Sequence, residues 1–299
     1  MPTKKTNLKH KNVSPKLPAR KARQKKPRQA PTHNPTLSLC MIVKDEEKFL
    51  PTCLESVKDH VDEIVIVDTG STDSTVEIAK KYNARIYHHP WENSFSKARN
   101  YSLSYATSDW ILILDADEEL EREDACKLRE VINDNEVNVI KLPVYYKPKG
   151  GKNLSVSSSE RIFRNHVDIH YEGIVHNALK YSGSNKSTNI RLYHYGYHQG
   201  NEQMEKKFKR TSDLLKKQIK DDPENPLPHH YLSISCLDRN RNDECIEEAL
   251  EAIRLFELQN SDEQMRLLCY FTACVAFYRK QDLDSAEKYA LKAINFYSD

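Results

Sequence analysis

The chain has 299 residues, 38% of them hydrophobic, which is enough for about two domains. Its seven cysteines are scattered, odd in number and without a C-x-x-C pair, so a zinc site is not expected and a reducing cytosol is the natural compartment. No run approaches the ~20 apolar residues of a membrane helix, and no apolar segment of a secretory signal follows the basic start, so we expect a cytoplasmic protein.

Residues 1–36 differ in charge from the rest of the chain. They hold eleven of the 46 Lys and Arg, none of the 44 Asp and Glu and six of the 13 prolines, so they carry +11 and the remainder of a chain with net charge +2 carries −9. Such a segment cannot bury enough apolar surface to offset its chain entropy, and we predict a disordered basic tail. Two interpretations stay open: a solvated tail without a partner, or a weak contact to an anionic surface that would place the protein at the membrane periphery.

Strands and helices are predicted to alternate from residue 37 onward. Apolar runs and turn residues predict strands at 37–43, 63–67, 84–88 and 110–114, with helices from about Pro51, after Ser74 and over 94–106. Alternation of this kind favours βαβ units with right-handed crossovers, and therefore an α/β domain with a mainly parallel sheet. Residues 137–146 form a further predicted strand, and Gly150, Gly151 and residues 155–159 a turn or flap.

Two carboxylates follow the last of the four strands. Residues 110–114 read W-I-L-I-L, which is typical of a strand buried on both faces, and Asp115 and Asp117 come next, separated by Ala116. Because ligands of open α/β sheets bind outside the carboxyl ends of the strands, both side chains are placed to reach one hard cation. The alternative is a polar strand exit that leads into a helix from about Glu121, where acids are favoured.

No phosphate loop of the usual kinds is present, since both G-x-x-x-x-G-K-[ST] and G-x-G-x-x-G are missing. If a nucleotide binds, its pyrophosphate must be neutralised differently. A divalent ion on Asp115 and Asp117, helped by Lys97 and Arg99, would do so.

Four segments in this order resemble a family 2 glycosyltransferase with the GT-A fold. They are L-S-L-C-M-I-V-K-D-E-E-K-F-L-P-T-C-L-E-S-V (37–57), D-E-I-V-I-V-D-T-G-S-T-D-S-T (62–75), F-S-K-A-R-N (95–100) and W-I-L-I-L-D-A-D-E-E-L (110–120). The resemblance implies a nucleoside-diphosphate sugar donor, with UDP preferred, transfer with inversion, and Mg²⁺ or Mn²⁺ as cofactor.

The resemblance also implies roles for single residues. The nucleotide-sugar site would use Val43, Asp68, Lys97, Arg99 and Asp115, and the metal site Asp115, Asp117 and His194. In this assignment Asp68 contacts the base or ribose, while Arg99 and Lys97 lie near the diphosphate. Alternatives stay open: Asp68 as a turn residue, the two cations as a solvated helix face, and His194 as a structural histidine.

The catalytic base is less clear. The stretches E-R-I-F-R (160–164) and Y-E-G-I-V-H-N (171–177) are similar to pieces in the acceptor half of related transferases, but the second ends in Asn177 where a Glu is usual. An amide cannot take the acceptor proton. Either another side chain is the base, or the acceptor is as acidic as a thiol, or the enzyme is impaired. The candidate bases are Glu160, Glu172 and His176.

The C-terminal third is predicted to be helical. Three prolines within 223–228 interrupt the chain after an amphipathic segment at 201–220. The stretches C-I-E-E-A-L-E-A-I (245–253) and A-E-K-Y-A-L-K-A-I (286–294) share small residues at matched spacing, as in tetratricopeptide units. We therefore expect a GT-A domain at 37–199, a connecting helix at 200–222 and an all-α, tetratricopeptide-like region at 223–299.

These features together predict an inverting, metal-dependent glycosyltransferase. Family 2 enzymes with tetratricopeptide-like tails include ones that glycosylate peptides, some on cysteine sulfur, so a peptide or protein acceptor is favoured. A cell-surface or lipid-linked glycan acceptor and a catalytically impaired scaffold protein remain alternatives. Because such repeats usually need about three units, the last apolar face is expected to pack elsewhere on the chain or on a second subunit, as a homodimer.

Overall fold

A mixed β-sheet organises the N-terminal half of the protein. The computed structural model describes residues 34–146, 155–166, 168–196 and 201–295, and within these ranges the sheet has nine strands. They are β1 (Leu37–Val43), β2 (Glu63–Asp68), β3 (Arg85–His88), β4 (Trp110–Ile113), β5 (Glu118–Leu120), β6 (Val139–Tyr146), β7 (Ser155–Arg164), β10 (Asn185–Ser187) and β11 (Leu192–His194). Two further strands, β8 (His170–Glu172) and β9 (Ala178–Lys180), form a small antiparallel sheet of their own.

The strand order is β3-β2-β1-β4-β7-β6-β11-β5, with β10 beside β6. The strands β3, β2, β1 and β4 are parallel, as the alternation in sequence predicted. Beyond them β7 runs antiparallel between β4 and β6, and β11 is again parallel to β6. The carboxyl ends of β1, β4 and β11 therefore meet at one edge of the sheet.

Helices cover both faces of this sheet. On β1 the side chains of Leu37, Leu39 and Met41 enter one apolar cluster, while Cys40 enters another on the opposite face, because successive side chains of a strand alternate. The first cluster includes helices α1 (Leu50–Val57) and α2 (Thr75–Lys81), and the second includes Leu103 of α3 (Phe95–Tyr105). The structure thus confirms the prediction of an α/β GT-A-like domain with a mainly parallel sheet.

One local prediction was wrong and another held in part. The helix expected from about Glu121 begins at Arg122, after the short strand β5, and is divided into α4 (Arg122–Ala125) and α5 (Lys127–Val131). Residues 155–159, predicted as part of a flap, form the first half of β7, because their backbone pairs with β6. Gly150 and Gly151, and the predicted tail before residue 34, lie outside the described residues.

The C-terminal third is helical, as predicted. It consists of α6 (Asn201–Asp221), α7 (Pro226–Asp238), α8 (Asn242–Gln259), α9 (Glu263–Arg279) and α10 (Leu283–Asn295), and each helix packs on the next. Small residues allow close approach: Ala249 and Ala252 of α8 are fully buried in a cluster with Ala273 of α9. On α10, Leu291 and Ile294 are 51% and 59% exposed, and the pairing of this face with a second subunit stays a prediction.

A shared apolar cluster joins the two halves. Phe208 and Leu215 of α6 and Leu232 of α7 lie in one cluster with Val175, and Trp91 of the N-terminal half packs against it. This contact sets α6 across the edge of the sheet where β1 and β4 end. Of the helices that the structure describes, none is both long and apolar enough to cross a bilayer.

Candidate functional site

A cavity of about 620 Å³ lies at the edge where β1, β4 and β11 end. Its lining includes Val43 after β1, Asp115 and Asp117 after β4, and His194 at the end of β11. Side chains of α6 form part of its wall. Small-molecule sites in open α/β folds occupy this position, with volumes of about 300–1,000 Å³.

Asp115 is held by two buried arginines. Its Oδ1 accepts a hydrogen bond from Arg99 Nη2 at 2.7 Å, and Arg161 Nη1 lies 4.0 Å from its Oδ2. Burial disfavours the charged carboxylate, but Arg99 and then Arg161 outweigh burial and hold the pKa of Asp115 at about 2. Asp115 is therefore ionised at every physiological pH.

Glu118 lies beneath Asp115 and fixes this arrangement. Its Oε1 accepts from Arg161 Nη2 at 2.5 Å, and its Oε2 accepts from the backbone N–H of Asp115 at 2.9 Å. Glu118 is 2% exposed, and burial raises its pKa although Arg161 opposes the shift. The buried ion pair of Glu118 and Arg161 thus links the carboxyl end of β4 to β7.

A β-bulge brings Arg161 to this point. Ile140 of β6 pairs with Ile162, whereas its neighbour Lys141 pairs with Glu160, so Arg161 is the extra residue of β7. Sequence reasoning selected Glu160 and missed Arg161, which a buried strand tolerates only with a carboxylate partner. Glu160 itself lies 3.2 Å from Lys141 Nζ and does not line the cavity.

Asp117 and His194 form the second part of the acidic edge. His194 Nε2 lies 3.5 Å from Asp117 Oδ1, and Lys207 Nζ of α6 lies 3.9 Å from Asp117 Oδ2. Burial disfavours the imidazolium, but the adjacent Asp117 carboxylate outweighs it and raises the pKa of His194. The ring of Tyr146 packs edge-on against that of His194, at 5.3 Å between centroids.

The donor atoms of this pair fit a divalent cation. Mg²⁺ and Mn²⁺ prefer oxygen ligands and accept imidazole, and Mg²⁺ is usually held by one or two carboxylates together with substrate phosphates. Gly196 keeps the pair accessible, since a Cβ there would lie 2.8 Å from His194 Nε2 and 3.0 Å from Asp117 Oδ2. In the described part of the chain, no group of three or more His, Cys, Asp or Glu side chains is arranged to hold a metal ion by itself. Asp115, bound by Arg99, stands beside the pair.

Val43 and Asp68 lie on the other side of the cavity. The carbonyl of Val43 accepts hydrogen bonds from Thr69 N at 3.0 Å and Thr69 Oγ1 at 3.1 Å, and Val43 and Thr69 line the cavity. Asp68, the residue before Thr69, is 4% exposed and is not among the residues that line the cavity. It accepts a hydrogen bond from Ser71 N at 3.0 Å, and His88 Nδ1 lies 3.1 Å from its Oδ2. Asp68 therefore shapes the turn that borders the cavity.

The structure separates Lys97 from Arg99. Residues two apart on a helix do not share a face, and of these two residues of α3 only Arg99 lines the cavity. Lys97 is exposed and lies 3.3 Å from Glu92 Oε2.

Glu172 and His176 also lie outside the cavity lining. Glu172 is exposed on β8, with its Oε1 3.1 Å from His170 Nε2. His176 has a positive φ of 51° and stacks on Tyr231 of α7, at 4.1 Å between ring centroids. His176 thus joins the two halves of the protein.

Several lining residues were not found from sequence. Glu46 follows β1 in K-D-E-E, and burial together with the charge of Asp117 raises its pKa to about 7. Its place at the end of a buried strand could have indicated it. No local pattern indicated the three cations of α6 that line the cavity, which are Lys206, Lys207 and Arg210.

Comparison with known proteins gives consistent matches. A family model described as glycosyl transferase family 2 matches residues 38–199. A TPR repeat-containing protein of Synechococcus elongatus is 37% identical over 199 residues, which are 63% of this chain and 49% of that protein. The SPbeta prophage-derived glycosyltransferase SunS of Bacillus subtilis is 34% identical over 198 residues, which are 64% of this chain and 47% of SunS. The chain spans about half the length of these curated relatives.

Among solved structures, residues 1–349 of Staphylococcus aureus TarS superpose with a TM-score of 0.45 and 16% identity, covering 85% of this chain and 90% of that one.

Proposed function

The chain belongs to glycosyl transferase family 2, and on that premise we propose that it transfers a sugar from a nucleoside-diphosphate sugar, preferably a UDP-sugar, to an acceptor with inversion. The observation that carries the proposal is the convergence of Asp115, Asp117, His194 and Arg99 on one cavity at the carboxyl edge of the sheet. These residues are the ones that the resemblance assigned to the diphosphate and the metal.

Each of these side chains has a distinct task in the proposal. Asp117 and His194 hold a Mg²⁺ or Mn²⁺ ion, which when bound supplies positive charge against the leaving diphosphate. Arg99 keeps Asp115 ionised and in place.

For the acceptor we propose a thiol of a peptide or protein. None of the three candidate bases, Glu160, Glu172 and His176, lines the cavity in the described structure, which supports the explanation in which the acceptor loses its proton without them. A thiol does so far more readily than a hydroxyl. The packing of α6 and α7 against the N-terminal half supports a peptide, because it places the helical region beside the cavity.

The donor site is tested by calorimetric titration of UDP and GDP, each with Mn²⁺ and with EDTA. We expect one nucleotide to bind in a metal-dependent way to the wild type and not to Asp117→Asn. Asp59→Asn, at an exposed acid in the turn after α1, is the matched control and should bind like the wild type. If the wild type binds neither nucleotide, the proposed activity is wrong and the scaffold alternative gains support.

The acceptor is tested with two peptides that differ in one residue, Cys or Ser. Incubation with the donor that matches the bound nucleotide should add a hexose-sized mass to the Cys peptide only. Modification of the Ser peptide at an equal rate would contradict the thiol proposal while leaving the donor site intact.

A further inference from the structure

The cations around the cavity are divided unequally between the two halves of the protein. Six Lys or Arg line it, and three of them, Lys206, Lys207 and Arg210, belong to α6. On the sheet side Arg99 already forms an ion pair with Asp115. The other lining residues of that side include four acids, Asp45, Glu46, Asp115 and Asp117, against Lys44 and Lys48. The excess of positive charge therefore comes from α6.

Lys207 and Arg210 share one face of α6, since residues three apart on a helix are neighbours. Lys207 Nζ lies 3.9 Å from Asp117 Oδ2, and its charge opposes the rise in the pKa of Glu46. The Arg210 guanidinium lies 5.2 Å from the centre of the Phe95 ring, which also lines the cavity. Lys206, by contrast, is 73% exposed and lies 2.8 Å from Glu202.

The position of α6 is set by packing and not by the charges themselves. Phe208, the residue after Lys207, is 9% exposed and lies in the cluster that contains Val175 and contacts Trp91. The guanidinium of Arg241, in the turn between α7 and α8, lies over the Phe208 ring at 4.3 Å from its centroid. Because packing holds α6 in place, its cations are positioned before a ligand binds. Binding therefore loses little conformational entropy in ordering them.

We propose that Lys207 and Arg210 bind the diphosphate of the nucleotide-sugar donor, so that the helical region completes the donor site. This inference rests on the proposed function. It transfers to α6 a task that sequence reasoning gave to Lys97 and Arg99, of which Lys97 faces away and Arg99 is engaged by Asp115. Ammonium and guanidinium groups are the protein's usual partners for phosphate oxygens.

The test compares UDP with UMP, in Mn²⁺, on the full chain. Losing a hydrogen bond to a charged group weakens binding roughly 10- to 100-fold, and we expect Lys207→Gln to weaken UDP binding by that factor. UMP lacks the second phosphate, so its binding to Lys207→Gln should be weaker than its binding to the wild type by less than about threefold. If GDP is the nucleotide that the wild type binds, GDP and GMP take their places.

Two variants separate this effect from misfolding or general electrostatics. Lys207→Arg keeps the charge and should bind UDP within about threefold of the wild type. Lys209→Gln removes an exposed cation of the same helix that does not line the cavity, and should leave UDP binding unchanged. Unchanged UDP binding in Lys207→Gln, or an equal loss for UDP and UMP, would overturn the inference. Failure of the wild type to bind either diphosphate would show instead that the proposed function is wrong.

Discussion

Replacing Gly196 by alanine tests whether metal-dependent UDP binding depends on the position of the His194 ring. Gly196 is buried, and a Cβ added there would lie 2.6 Å from His194 Cε1 and 3.0 Å from Asp117 Oδ2. Non-bonded carbon atoms pack at about 3.5–4.0 Å, so the imidazole must move by roughly 1 Å. The φ of Gly196 is not in the left-handed region, so the backbone accepts alanine and the effect comes from the added methyl group.

A shift of this size is large for a metal site. Ligand distances in metal sites hold to about ±0.2 Å, and disturbing the groups that support a ligand typically costs 10- to 100-fold in metal affinity. We expect Gly196→Ala to raise by that factor the Mn²⁺ concentration that gives half-maximal UDP binding. The free energy of unfolding should fall by only about 1 kcal/mol, at the low end for overpacking, because the ring can move into the cavity.

The assay is calorimetric titration of UDP at a series of Mn²⁺ concentrations, with urea unfolding to follow stability. A double-mutant cycle with His194→Ala identifies the cause. In that background the ring is gone, so Gly196→Ala should have no further effect. Wild-type Mn²⁺ dependence in Gly196→Ala would refute the reasoning, and an equal loss in both backgrounds would assign the effect to Asp117.

Three further predictions concern buried charge, pH and the junction of the two halves. Arg161→Met leaves Glu118 without its partner and should lower the free energy of unfolding in urea by about 3–5 kcal/mol. Much of this loss should be recovered in Arg161→Met/Glu118→Gln. An unchanged urea midpoint in Arg161→Met would contradict a stabilising role of the ion pair. Burial and the Asp117 charge raise the pKa of Glu46 from 4.5 to about 7, so the contribution of Glu46 to the free energy of unfolding should fall as pH rises from 4.5 to 7. Glu46→Gln should remove this contribution, so that the variant becomes more stable than the wild type by about 1–2 kcal/mol at pH 8, a figure reduced for partial exposure. Parallel pH profiles of wild type and variant would exclude this effect of Glu46. Tyr231→Ala removes the ring stack on His176, which is worth about 0.5–1.5 kcal/mol. It should speed amide exchange at residues 173–177 without changing the Mn²⁺ dependence of UDP binding. Unchanged amide exchange would show that the stack does not hold this loop.

The fold was predictable because its signals are local. An unbroken apolar run such as 110–113 predicts a buried strand, and its alternation with amphipathic helices favours parallel pairing. The structure confirms that fold class and the helical C-terminal region. The predictions failed at 155–159, where backbone pairing with β6 makes a strand of a polar, serine-rich segment.

Sequence alone determined the edge at which Asp115 and Asp117 lie, because the end of a strand is encoded in consecutive residues. Only the tertiary structure decided which charges face them. A bulge in β7 brings Arg161 to Asp115, and an apolar cluster around Phe208 sets Lys207 beside Asp117. The periodicity of a strand or helix specifies which face is buried, but not which distant segment packs against it, so these contacts depend on how the two halves dock.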